Sequence, residues 1–288
     1  MELDLIARQA ATVLNTIAVL VIVSLGLAVI FGVMRIINLA HGEFLMLGAY
    51  AVLVSVRNGL PVWVGMLVAP VVVGLVGLVV ERLLIRFLYE RLIATMLATW
   101  GLSLILVQAV VLTFGPATQG IATPLGSLRV GAYSISQYSL LLIGLAVTLL
   151  LATYLVFTRT RYGILARAVA QNAPMAEALG VNTQLTNAAT FALGAALAGA
   201  AGALLAPVVG VVPSIGQAFI ARAFMTVIVG GPAVITGTVS AAGILGGADS
   251  VVSQVATAFL GQAALLLLAV ALLRVMPQGI SGSWSRRL

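Results

Sequence analysis

The sequence predicts an all-α integral membrane protein, a polytopic bundle of about eight or nine transmembrane helices. Three observations carry this. Of the 288 residues, 62% are hydrophobic and only 7% charged, whereas a soluble domain carries about 25% charged residues. Several uncharged runs reach the roughly 20 residues that a spanning helix needs. Those runs are apolar on all faces, which argues against a barrel, whose strands alternate apolar and polar residues in segments of about ten.

The charges punctuate the spans. Residues 9–34 form the first. The polar stretch "MRIINLAHGEF" (34–44) follows, and the apolar run behind it, 44–56, is too short to cross. Residues 60–80 span, then comes the charged turn "ERLLIRFLYER" (81–91). A span over 93–114 leads into a loop over 115–137 rich in Gly, Pro, Ser and Thr. Residues 138–157 span, and Arg159 opens a second charged segment, a cytoplasmic loop over about 159–187. A span over 188–212 precedes a Gly-rich apolar stretch, 215–259, that contains Arg222 and Asp249. A last run, 261–273, leads to Arg274 and a tail ending in Arg286 and Arg287.

The net charge of +7 comes entirely from arginine, since the chain has no lysine. The arginines are spread between the spans rather than gathered in a patch, so they read as orientation signals and not as a nucleic-acid surface. The arginine-bearing gaps at 81–91 and 159–183 are separated by two spans and share one side, with Arg35. The positive-inside rule makes that side cytoplasmic and puts 115–137 outside. The start Met1-Glu-Leu-Asp is acidic and lacks the basic opening of a signal peptide. The whole chain, 1–288, reads as one transmembrane domain in a cytoplasmic membrane.

Two regions read as broken or re-entrant helices. One is the opening motif with its short follower. The other is "AFMTVIVGGPAVITGTVSAAGILGGADS" (223–250), which Gly230, Gly231 and Pro232 interrupt. Interrupted hydrophobic segments in the two halves of a chain point to an internal inverted repeat and to a substrate path near the midplane. Small residues four apart, Gly194, Ala198 and Gly202 in one run and Gly243 and Gly247 in another, mark close helix packing.

His41, the only histidine, lies two residues from Glu43. A metal site or a catalytic couple is the first idea, and it fails on counting. Zinc needs three or four ligands, the chain has no cysteine, and most other acids lie at the ends or in the loops. No nucleophile elbow, metalloprotease helix or phosphate loop occurs. At a membrane edge Arg35 can snorkel to the interface. His41 and Glu43 fit an edge less well, and ionisable groups at depth face water-filled cavities or pair with one another. We therefore read Asn38, His41, Gly42 and Glu43 as a polar helix break beside a path, with Gly42 letting the backbone break. In the loop after Arg159, Pro174 suits the first turn of a short helix, Glu177 its early part and Gly180 its stop. Such a capped helix is suited to docking a cytosolic partner.

At these residues the sequence resembles the permease subunits of bacterial ABC importers for branched-chain amino acids. It is similar to the H-type subunit of the leucine/isoleucine/valine transporter and its relatives for urea and short-chain amides. The matching stretches run in the family's order: "GLAVIFGVMRIINLAHGEFLMLGAY", "ERLLIRFLYER", "LATWGLSLIL", "TRTRYGILARAVAQNAPMAEALGVNT", "TFALGAALAGAAGAL" and "MPQGI". The resemblance implies a permease with no ATPase chemistry and no cofactor of its own, ATP being used by its partners. Those partners would be a second homologous permease, two cytoplasmic ATPase subunits and a periplasmic binding protein. It places a coupling loop at 173–180, with Pro174, Glu177, Ala178 and Gly180 at the ATPase contact, and lets one small-residue stripe face the second permease. Pro232-Ala233 stands where relatives carry a more flexible, glycine-containing pair. Branched-chain amino acids are the leading substrate and urea or short amides the alternative. A more remote alternative is an ion-coupled transporter or channel, for which Glu43 and Asp249 are the candidate carboxylates.

Overall fold

The computed structural model describes residues 2–89, 91–130 and 133–284. The chain runs α1 (Glu2–Met34), α2 (His41–Arg57), α3 (Val62–Leu83), α4 (Leu92–Phe114), the strands β1 (Ser127–Val130) and β2 (Tyr133–Ser136), α5 (Gln137–Arg159), α6 (Arg161–Gln171), α7 (Ala173–Ala178), α8 (Thr183–Val209), α9 (Ile215–Gly230), α10 (Val234–Val255), α11 (Ala258–Val275) and α12 (Gly279–Trp284).

Among the described residues seven helices, α1, α3, α4, α5, α8, α10 and α11, are long and apolar enough to cross a membrane. α2 and α9 have 17 and 16 residues, about 25 Å of helix against the roughly 30 Å of bilayer hydrocarbon. The expected eight or nine spans thus resolve into seven full-length helices and two short ones. Large apolar side chains line the outside: on α4, Ile93, Leu97, Trp100, Ile105 and Leu112 are all exposed. A surface of that kind is at equilibrium in lipid, not in water.

The chain forms two compact units. One comprises Leu25–Ala122 and Ala152–Ala221. Its centre is α8, against which the second half of α1, α2 and α3 pack, with Ile30, Phe44, Val73, Phe191 and Ala198 in the core. The rings of Phe44 and Phe191 meet edge to face, 5.8 Å between centroids. The glycines of α8 permit this closeness. A Cβ on Gly194 would lie 2.7 Å from the Gly26 carbonyl oxygen, one on Gly202 would collide with the Leu45 carbonyl, and Ala198 touches the same face of α1. The stripe Gly194, Ala198 and Gly202 is therefore internal packing, driven by backbone approach as in other lipid-embedded helices. α8 starts at Thr183, where the Asn182 side chain accepts the Leu185 N–H at 2.9 Å. Residues 183–187 thus belong to a membrane helix and not to the cytoplasmic loop expected over 159–187.

The other unit comprises Met1–Ser24, Thr123–Leu151 and Arg222–Leu288. α10 packs on α11 around Ala241, Ala242, Leu245, Leu265 and Ala269. The close glycine of α10 is Gly246, whose Cβ would stand 3.2 Å from Ile17 Cα, while a Cβ on Gly243 or Gly247 would meet open space. Within this unit the packed face of α10 passes through Gly246, and Gly243 and Gly247 lie on its open face. The loop expected over 115–137 contains a short antiparallel hairpin, Leu128 opposite Ile135 and Val130 opposite Tyr133. Its period-two alternation, "SLRV" and "YSIS", was readable but brief. Arg222 and Asp249 pair at 3.7 Å, which is how an intramembrane carboxylate and guanidinium offset each other's desolvation.

Candidate functional site

The first break opens where α1 ends. Arg35 is the one described non-glycine residue with positive φ, at 54°, a region that costs an L-residue about 1–2 kcal/mol. The chain then turns back, and its freed backbone groups find partners inside the protein. The Asn38 side chain accepts the Ala40 N–H at 3.1 Å, and the Thr99 hydroxyl on α4 accepts the Leu39 N–H at 3.1 Å. Thr99 in turn donates to the Thr95 carbonyl at 2.8 Å. Asn38 and Thr99 are fully buried, so each of these bonds replaces a water that cannot enter.

α2 starts at depth. The His41 ring lies against Gly26 of α1, and Gly26 meets Gly194 and Ala198, which stand midway along α8. His41 and Glu43 are 1% and 3% exposed, with the Ser103 side chain hydrogen-bonded to Glu43. The expectation is that such groups face a water-filled cavity or pair with one another, and in this structure both are enclosed by protein. Gly42 does not make the break. It lies in the first turn of α2, where a Cβ would come within 2.8 Å of the Gly216 carbonyl oxygen. Gly216 is the second residue of α9 as Gly42 is of α2. Two short helices therefore meet N-terminus to N-terminus near mid-depth, and both present the positive ends of their dipoles there.

The second break holds Gly230, Gly231 and Pro232 between α9 and α10. Gly231 has φ +81° and lies against Gly279, and a Cβ on Gly230 would be 2.7 Å from the Gly237 carbonyl. Pro232 has no N–H to satisfy. The groups on either side of it are held by one hydroxyl: Ser281 donates to the Gly230 carbonyl at 2.6 Å and accepts the Ala233 N–H at 3.1 Å. The break is thus pinned by Ser281 of α12 and by Gly279 of the "MPQGI" motif that leads into it.

The segment between α5 and α8 is two helices where one was expected. Thr160 caps α6, accepting the Gly163 N–H at 3.1 Å, and α6 buries Gly163, Ala166 and Val169. The Tyr162 hydroxyl lies 2.8 Å from that of Thr190, and burial pushes its phenol upward. α7 follows with its ends sealed. The Asn172 side chain accepts the Met175 N–H at 3.0 Å, and Pro174 stands in the first turn. Gly180, with φ +85°, donates to the Glu177 carbonyl at 2.8 Å while Val181 donates to Ala176 at 3.0 Å. The cap fixes what is shown outward: Ala176 is buried, while Pro174, Met175, Glu177, Ala178, Leu179 and Gly180 are exposed. Glu177 also accepts the Thr183 hydroxyl, tying α7 to α8. At the same end, the Tyr89 phenol donates to buried Glu81, and burial followed by that carboxylate pushes it far above its usual range. Among the described residues no three His, Asp or Glu side chains gather where they could share a metal ion.

Residues 9–276 match the family described as the branched-chain amino acid transport system, permease component. The chain belongs to that family. It is 31% identical over 283 residues to the high-affinity branched-chain amino acid transport system permease protein LivH of Escherichia coli strain K12, covering 91% of this chain and 90% of the relative. It is 28% identical over 289 residues to a probable LivH of Methanocaldococcus jannaschii, covering 93% and 90%. It is 30% identical over 247 residues to BraD of Pseudomonas aeruginosa, covering 80% of each. No solved structure matches the chain.

Within this permease the structure groups the sequence-chosen residues by location. Asn38, His41, Gly42 and Glu43 share the first break, Gly230, Gly231 and Pro232 the second, and Pro174, Glu177, Ala178 and Gly180 the exposed short helix. Thr99, Gly216 and Ser281 were missed. Thr99 and Ser281 are ordinary hydroxyl residues in sequence. Only the contact of each with backbone far along the chain, 60 residues from Leu39 and 48 from Ala233, gives it a role.

Proposed function

We propose that this chain is the membrane-spanning subunit of an ATP-driven importer in the cytoplasmic membrane, and that it carries branched-chain amino acids delivered by an external binding protein. It has no enzymatic activity and binds no cofactor. ATP is hydrolysed by two cytosolic ATPase subunits, and a second permease, a homologue or another copy, completes the pathway. The exposed, capped α7 docks an ATPase subunit through Glu177 and the apolar side chains of Met175 and Leu179.

The observation that carries the substrate reading is the meeting of α2 and α9 at Gly42 and Gly216. Converging helix N-termini favour an anionic group, and an amino acid has a carboxylate where urea has none. The polar break is the place where the path opens when the complex changes conformation, with His41 and Glu43 lining it. Asp249 pairs with Arg222, which leaves the ion-coupled alternative only Glu43. Uptake by the reconstituted complex, with labelled leucine and urea in competition, tests the reading. Leucine uptake unaffected by excess urea supports it, and urea uptake unaffected by leucine sinks it.

A further inference from the structure

A cavity of about 530 Å³ opens in the unit centred on α8, between the end of α1, the turn into α4 and the helices α6 and α7. It lies at the end of the unit that holds the arginine-bearing gaps, is not lined by His41 or Glu43, and shares Glu177 with the docking face of α7. Its wall is divided. Arg35 and Arg91 bring two guanidinium groups, and Glu177 brings one carboxylate. Val33, Ile36, Leu92 and Val169 bring an aliphatic surface. Asn187 of α8 lines it too, and its Oδ1 is buried without a hydrogen-bond partner. A buried acceptor left unpaired costs free energy that a bound donor would recover.

We propose that this cavity is a second binding site, on the cytoplasmic side, for a zwitterionic aliphatic amino acid. The chemistry is matched group by group. The carboxylate takes the guanidinium of Arg91 or Arg35, for which a planar fork is suited. The ammonium takes the carboxylate of Glu177 and, once the amide turns out of its buried position, Asn187 Oδ1, and the aliphatic side chain covers Val33, Ile36, Leu92 and Val169. An inorganic anion would leave both the apolar wall and the Asn187 acceptor unused.

Occupancy has a mechanical consequence. Arg35 donates to the Ala170 carbonyl at 3.3 Å and holds the strained backbone where the first break begins, while Asn172, Pro174 and Glu177 belong to the capped helix that docks the ATPase. A ligand between them ties the break to the docking helix. Amino acid accumulated inside the cell would thereby act back on the importer that delivered it.

This inference rests on the amino-acid reading, and one preparation separates the two. The assembled importer in nanodiscs, without binding protein, is titrated with labelled leucine at equilibrium, and uptake is measured in parallel in proteoliposomes. Asn187→Leu and Arg91→Glu are each expected to weaken saturable leucine binding by at least about tenfold, as loss of a hydrogen bond to a charged group does. Asn187→Asp keeps an acceptor for the ammonium and is expected to retain binding, which distinguishes a lost contact from a damaged fold. 4-Methylpentanoate and isoamylamine, each lacking one charge, are expected to compete poorly. Absence of saturable binding in the wild type, or binding that survives both Asn187→Leu and Arg91→Glu, overturns the site. Variant-sensitive binding in an importer that moves urea instead of leucine would uphold the site and overturn the substrate reading.

Discussion

The Leu39 N–H donates to the Thr99 hydroxyl across 3.1 Å, joining the returning segment after α1 to a helix 60 residues further along the chain. The Thr99 hydroxyl is fully buried, so this bond is part of what makes a non-helical segment tolerable at that depth. Thr99→Val keeps the volume and removes the acceptor. It is expected to destabilise the protein by about 1–3 kcal/mol, the cost of an orphaned buried amide. Thr99→Ser should restore most of the loss. Thermal unfolding in detergent, followed by size-exclusion chromatography, reads both.

Gly42 and Gly216 tolerate no side chain, since a Cβ on either would enter the other's backbone. Gly42→Ala is expected to cost about 1–3 kcal/mol, as overpacking does, and Gly42→Val more. Gly243→Ala, where a Cβ would meet open space, should be within about 0.5 kcal/mol of wild type. Equal effects at Gly42 and Gly243 would mean that the contact between α2 and α9 is not tight.

The hydroxyl of Ser281 serves two backbone groups on either side of Pro232. Ser281→Ala leaves the Ala233 N–H and the Gly230 carbonyl without it, a loss of about 1–3 kcal/mol. Limited proteolysis of the protein in nanodiscs should then show faster cleavage between α9 and α10. An unchanged rate would show that the break is held by glycine packing alone.

His41→Ala and Glu43→Ala are expected to lower uptake by about tenfold or more, equivalent to ~1.4 kcal/mol in the barrier, while the complex still assembles. Wild-type uptake by both variants would remove these residues from the path.

Glu177→Arg is expected to release the ATPase subunits on affinity purification, because it reverses the one charge on the exposed face of α7 and breaks the contact with Thr183. Retention of the ATPase by this variant would move the docking surface elsewhere.

The legible part of this fold was the part written in local sequence. Apolar runs bounded by arginine placed the spans, Pro174 and Gly180 bracketed α7, and the polar cluster around His41 marked the first break. The features that escaped depend on backbone approach or on distant pairs. Gly42 was read as the point of breakage, whereas Arg35 makes the turn and Gly42 makes room for Gly216. Along α10 the glycine spacing suggested Gly243 and Gly247, but the helix turns Gly246 toward Ile17. Thr99 and Ser281 carry no pattern at all, since a hydroxyl becomes structural only when a distant amide needs it.

The most direct test of the central claim is leucine accumulation in proteoliposomes that contain the assembled complex, with binding protein outside and ATP inside. Uptake against a gradient that needs both ATP and the binding protein, and stops with a non-hydrolysable analogue, is the result expected. Leucine uptake that persists without ATP and follows an imposed proton or sodium gradient would contradict the account.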